Sequence, residues 1–285
     1  MSTASAVALL LGTYLVLFAI ERTRPLRAPK RPLVPRLVVN VVISALSFAT
    51  AAVLVRPAAL ATLDVAELKP FGLLAVAGLD GPAEIAAAFL LLDLTFYYWH
   101  VLNHRVPWLW RIHNVHHIDP DLDVTTAFRF HFAEVAFSAG FRVVQVLAIG
   151  PSLAAFAIYE VAFQTGTLFH HSNVRLPLAL ERALNLVVVT PRMHGIHHSD
   201  IRDETMSNFG VVFRWWDRLH GTLRLNIPQS EVAIGIPAYS LPEDNRLAHC
   251  LVVPFRAQRE YWRAGTEERL HRAARQDSDA HRLAQ

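Results

Sequence analysis

Five apolar runs, at residues 4–20, 37–55, 82–99, 135–150 and 152–169, constrain this chain more than any other feature. Each approaches the ~20 residues that a helix needs to cross a bilayer. They could instead be buried helices of a soluble bundle. Such a bundle needs charge to cover its surface, and here charged residues make up 18% against 53% hydrophobic. The predicted fold is therefore all-α: an integral membrane bundle of four to five segments. Gly150-Pro151 between the last two runs suits a tight helical hairpin. The first run has no basic stretch before it and no small-residue cleavage site after it, so it reads as a retained segment rather than a signal peptide.

Charge then orients the bundle. Arg22, Arg24, Arg27, Lys30, Arg31 and Arg36 follow the first run with only Glu21 opposing them. Asp64, Glu67 and Asp80 outweigh Arg56 and Lys69 between the second and third. The positive-inside rule places residues 21–36 in the cytoplasm and 56–81 outside. The third run then returns to the cytoplasm at His100 and the fifth at His170. The net charge of +3 forms no basic stripe, which argues against nucleic acid as a partner.

Eleven of the fifteen histidines lie between residues 100 and 198, and this topology, derived without them, gathers them on one side. His100 and His104 share a helical face. His113, His116 and His117 are spaced i, i+3, i+4, and His194, His197 and His198 repeat that spacing. His170-His171 closes the fifth run. Neutral imidazole is the commonest metal ligand, and so many unpartnered ring nitrogens would be costly to bury. One tetrahedral ion accepts four ligands, so eight or more histidines favour two ions. The single cysteine, Cys250, rules out an intramolecular disulfide and thiolate-rich sites. Imidazole suits zinc, iron, copper and nickel, so ligand type alone does not choose the metal.

Asp93, two turns before His100, is a candidate acceptor for a ligand imidazole. Glu160, ionisable within an apolar run, is another candidate, as are His131, Asp119, Asp121, Asp123 and Glu134. Phe96, Tyr97, Tyr98, Trp99, Trp108 and Trp110 read mainly as an aromatic belt at the headgroup level.

The motifs His100-x3-His104, His113-x2-His116-His117 and His194-x2-His197-His198 resemble the three histidine boxes of the membrane-bound fatty acid hydroxylase and sterol desaturase superfamily. The stretches Glu21-Arg22 with Pro25, Asp93–Arg105, Thr126–His131, Phe169–Asn173, Asn208-Phe209-Gly210 and Trp216–Thr222 are similar as well. The likeness covers roughly residues 15–225, taken as a membrane hydroxylase-like domain, with 226–285 as a C-terminal cytoplasmic extension. His220 departs from the pattern, and Arg256–Gln285 reads as a solvated tail or terminal helix.

The resemblance implies two non-haem irons held by the box histidines in a cytoplasmic helical cap, with His171 a likelier match than His170. It further implies O2 as co-substrate, a lipid substrate, and hydroxylation or desaturation at an unactivated C–H bond. With no haem motif and no nicotinamide fingerprint in the chain, electrons are expected from a separate ferredoxin, cytochrome or reductase. Arg192, Arg202, Arg214 and Arg218 are a candidate docking patch for it. In a bacterium the location would be the plasma membrane. The rivals are a zinc hydrolase at the membrane boundary, weakened by the lack of a His-Glu-x-x-His motif, and a haem-binding electron carrier.

Overall fold

The structure, a computed structural model, describes residues 3–69 and 71–262. They form helices and isolated bridges, with no extended strand among the described residues. Helix α1 spans Thr3–Thr23 and α2 spans Leu33–Thr50. A π-helical turn, Ala51–Val55, carries α2 into α3, Arg56–Leu68. One further turn, α4 (Leu73–Val76), precedes α5, Gly81–Arg105, and α6, Pro107–His117. Helices α7 (Phe132–Ile149) and α8 (Leu153–His171) make a hairpin. Gly150 ends α7 in the left-handed region at φ 69°, and the Ser152 side chain caps α8 by accepting from Ala155 N.

Among the described residues, four helical stretches are long and apolar enough to cross a membrane: Ala4–Thr23, Leu33–Val76, Gly81–Arg105 and Phe132–Ile149. Their outer faces carry exposed Val7, Leu11, Val16, Val38, Val53 and Val144, as lipid-facing helices should. The fifth run does form α8, but with Glu160, Gln164, Thr167, His170 and His171 in it, it is not among these four. This is an integral membrane bundle.

The bundle has two distinct ends. At one, Gly150 packs so tightly on the Phe71 carbonyl that a Cβ there would collide with it. Nearby, Glu84 accepts from Ser152 N at 2.9 Å and Ser152 Oγ at 3.0 Å, tying α5 to the α7–α8 hairpin. At the other end α5 and α8 terminate in histidines, and the short helices α9 (Leu178–Leu184) and α10 (Pro191–His197) follow.

Residues 226–255 also belong to this end. Asp200 N donates to Ala233 O and Gly235 N to His198 O. Ile236, Tyr239, Cys250 and Val253 share one apolar cluster with Ile43 of α2 and Trp110 and Val115 of α6. The tail read for Arg256–Gln285 lies outside the described residues beyond Trp262.

Candidate metal centre

The break between α5 and α6 creates the centre. Pro107 disfavours helical geometry at Val106, which adopts φ −90° and ψ 115° and redirects the chain. In one straight helix His100 and His113 would be separated by about 20 Å along the axis. Instead their ring centroids are 5.3 Å apart, and His104 lies 4.9 Å from His113 and 4.8 Å from His117. Helix α10 brings His197 to 4.6 Å from His104, and α8 brings His171 to 4.3 Å from His194.

The ring nitrogens fall into two groups, each gathered within 4.8 Å: His100, His104, His113, His117 and His197, and His116, His171, His194 and His198. All but His100 are fully buried. In the second group the Nε2 atoms face one another, at 3.0 Å for His171–His116, 3.0 Å for His194–His171 and 3.1 Å for His198–His194. His170 lies outside both groups. Its ring is 4.2 Å from His194, and its Nδ1 faces the Val211 carbonyl at 3.0 Å.

Several rings are fixed from behind through Nδ1. His100 meets Phe209 O at 2.8 Å, His171 meets Thr167 O at 2.8 Å, and His197 meets Ser207 O at 2.7 Å. His113 Nδ1 lies 2.9 Å from the Glu134 carboxylate. A proton on Nδ1 donated to these acceptors leaves the Nε2 lone pair pointing inward, the tautomer a metal ligand requires. The inner atoms have no other use. His113 Nε2, His197 Nε2 and both ring nitrogens of His104 and His117 are buried without a hydrogen-bond partner. Each such orphan costs about 1–3 kcal/mol, so the donor set fits resident metal ions. Burial, reinforced by neighbouring imidazoles, pushes His116, His117, His194, His197 and His198 well below the usual imidazole pKa, so they stay neutral and able to ligate.

The other candidates divide. Glu134 touches a box histidine, as described. Asp93 does not. It accepts from Val212 N at 3.2 Å, Phe213 N at 3.0 Å and the Trp216 indole at 2.8 Å, so the expectation that it orients an imidazole is corrected. Glu160 pairs with Arg142 rather than with a histidine. His131 is the N-cap of α7, accepting from Ala133 N, with Nε2 on Leu251 O at 3.2 Å. Asp119 and Asp123 bind Arg36, and Asp121 accepts from the Lys30 and Arg31 amides. His220 bonds Tyr98 Oη at 2.9 Å, away from the cluster.

One supporting residue escaped notice. Asp217 accepts from Phe209 N and Gly210 N, both at 2.8 Å, and so holds the turn whose Phe209 carbonyl meets His100. Asn208 sits at φ 57° there, and a Cβ on Gly210 would come within 2.9 Å of the Asp217 carboxylate. Asn208-Phe209-Gly210 and Trp216–Thr222 enter the sequence reading only through the family likeness, and nothing local in them shows that Asp217 holds the Phe209 turn.

A cavity of about 230 Å3 opens onto the centre. His100, His113, His116, His171 and His194 form its floor. Its walls are Phe48 and the π-turn residues Ala51 and Val55, with Phe96, Trp99 and Phe163. The Arg142–Glu160 pair adds charge to an otherwise mainly apolar lining.

Comparison with known proteins agrees with this geometry. A family model, fatty acid hydroxylase, matches residues 85–222, the interval from α5 to just past the Asp217 turn. Ornithine lipid hydroxylase OlsE of Rhizobium tropici is 29% identical over 153 residues, covering 54% of this chain and 45% of that protein. A cholesterol 25-hydroxylase-like protein of Danio rerio is 32% identical over 152 residues, covering 49% and 55%. Human alkylglycerol monooxygenase is 31% identical over 146 residues, covering 50% and 31%. The chain thus spans about half or less of the length of these relatives. No solved structure matches. With a fatty acid hydroxylase domain at residues 85–222 that contains every one of the clustered histidines, the chain belongs to the fatty acid hydroxylase and sterol desaturase superfamily.

Proposed function

We propose that this chain is a membrane oxidoreductase that hydroxylates or desaturates a lipid with O2 at two non-haem irons. The observation that carries the reading is the juxtaposition of two adjacent buried histidine groups with a mainly apolar cavity walled by the helices of the bundle. The names of the relatives, all lipid hydroxylases or monooxygenases, point the same way.

In this reading His100, His104, His113, His117 and His197 hold one ion, and His116, His171, His194 and His198 hold the other. Glu134 fixes His113, and Asp217 fixes His100 through the Phe209 turn. Iron at these positions would supply O2 activation and oxidation of a C–H bond, a redox capacity that zinc lacks. The chain itself binds and orients the lipid: Phe96, Trp99 and Phe163 grip an alkyl segment and keep water from the histidine floor.

The arginine-rich link between α1 and α2 puts the histidine end in the cytoplasm, and in a bacterium the enzyme would lie in the plasma membrane. An external donor would deliver electrons at that end, where Arg202 is exposed and Arg192 is held by Glu181. Residues 1–225 carry the hydroxylase-like unit, and residues 226–255 strap it from outside. The test is a lipid-oxidation assay on the full chain in membranes. Product should require both O2 and reductant. Full turnover without either would instead establish a hydrolase and overturn the reading.

A further inference from the structure

Asp93 poses a problem that the metal centre does not solve. It is fully buried near the middle of α5, a helix apolar enough to span the membrane, yet it serves no histidine. Its three N–H donors come from the non-helical residues Val212 and Phe213 and from Trp216 at the start of the short helix Trp215–Leu219 that follows them. Seven residues separate Asp93 from His100, so this segment reaches about 10 Å back along α5 from the histidine end. It goes deeper still. The Phe213 ring is 5.6 Å from Phe89, about 16 Å back along α5 by the same rise. On the other side Gly166 of α8 leaves room for it, with Val211 O and Val212 Cγ2 each 3.6 Å from where a Cβ would stand.

A second segment accompanies the first. Val189 N donates to Val212 O at 3.0 Å, Arg214 N to Val187 O at 3.1 Å, and the Trp215 indole to Leu186 O at 3.1 Å. The pair thus satisfies these backbone groups from within the protein, as non-helical chain must at membrane depth. Its outer surface is apolar where an aqueous surface would be polar: Leu186 is 62% exposed, Val187 42%, Trp215 41% and Leu219 72%. Leu178 and Leu180 of α9 are about half exposed and extend the same lobe. This apolar surface stands beside α5 at the depth of Phe89 and Asp93, where Leu90 of α5 is also exposed.

We propose that residues 178–189 and 211–219 form a re-entrant lobe embedded in the lipid leaflet on the histidine side of the bundle, its apolar face against acyl chains. Asp93 is the acceptor that makes this possible. It replaces the water that the amides of Val212 and Phe213 would otherwise need in hydrocarbon. Arg182 and Arg218, exposed on the lobe, carry their charges on stems long enough to reach the phosphate layer. The lobe also explains why so polar a sequence follows α8 without leaving the bundle.

The test uses the full chain reconstituted in phosphatidylcholine–phosphatidylglycerol vesicles, with Leu186→Cys, Val187→Cys and Trp215→Cys, and Ser230→Cys as a water-facing reference. Cys250 is buried, and the wild-type protein gives its background. Bimane attached at 186, 187 and 215 should lose most of its fluorescence to lipids carrying a spin label midway down the acyl chain, whereas bimane at 230 should not. A charged maleimide admitted to both sides should react at least about tenfold more slowly at the three lobe positions than at 230. Three positions on two segments keep the test decisive if one variant fails to fold. Reaction at the rate of position 230 without quenching would mean a water-facing lobe and overturn the proposal. So would slow reaction without quenching but with disulfide cross-linking between copies, which would identify a chain–chain interface.

Discussion

Two buried polar clusters lie within a few residues of each other at the histidine end, and they are built on opposite principles. In the first, Arg22, Arg36 and Arg129 face Glu21, Asp119 and Asp123, three cations against three carboxylates. Arg36 alone reaches Asp119 at 2.8 Å and Thr126 Oγ1 at 2.8 Å, and Arg129 reaches Asn40 at 2.8 Å and Val115 O at 3.1 Å. Its charges are matched inside the protein. In the second cluster nine imidazoles converge, and six buried ring nitrogens on His104, His113, His117 and His197 have no hydrogen-bond partner. Matched charge holds α2, α6 and the loop between α6 and α7 in place. Unmatched lone pairs at comparable burial mark where the chain spends stability on binding something else.

This contrast can be broken at several points. The largest effect belongs to the ligands. His197→Ala and His194→Ala, one from each group, should each lose bound metal and abolish turnover, as read by elemental analysis and product formation. Arg36→Met comes next and acts in the opposite way. It strips Asp119 and Asp123 of their shared partner, leaving Asp123 to Arg22 at 2.7 Å and Asp119 to Arg129 at 3.5 Å, which should cost about 3 kcal/mol. Denaturation should show that loss, while the fraction that remains folded keeps its metal. Equal metal loss in both kinds of variant would dissolve the distinction.

Glu134→Gln tests the link between a carboxylate and a ligand. It keeps an acceptor for His113 Nδ1 but removes the charge, so metal affinity should fall about 10–100-fold in a chelator competition, with little change in folding. The smallest effect is on pH. Burial works to raise the Asp123 carboxyl, but the Arg36 charge and hydrogen bonds prevail and hold it at about 2, below its ordinary 3.8. A depressed folded pKa gives stability that is complete above 3.8 and lost as pH falls toward 2. Acid unfolding should begin in that window, and Asp123→Asn should weaken the dependence.

How much of this was legible in the sequence follows from how local each feature is. The i, i+3, i+4 spacing of His113, His116 and His117 is a helical fact, and so is the hydropathy of α1, α2, α5 and α7. Both were readable. The sharing of box histidines between two groups was not, because His116 joins His171 and His194 while His117 joins His104 and His197. That depends on how α6 is rotated between α5 and α10. The spacing of Asp93 two turns before His100 points to an imidazole, but its partners at Val212, Phe213 and Trp216 are more than a hundred residues away and leave no local signal. The contact of Gly235 with His198 had no sequence signal, since a backbone amide can come from any residue.

The most direct measurement is the metal content of the purified wild-type chain, by mass spectrometry against amino-acid analysis, after expression with iron supplied. One histidine group with unpartnered ring nitrogens and a second whose Nε2 atoms converge on one another predict two irons per folded chain. A fully active, monodisperse preparation that holds no transition metal, or one ion only, would contradict the account.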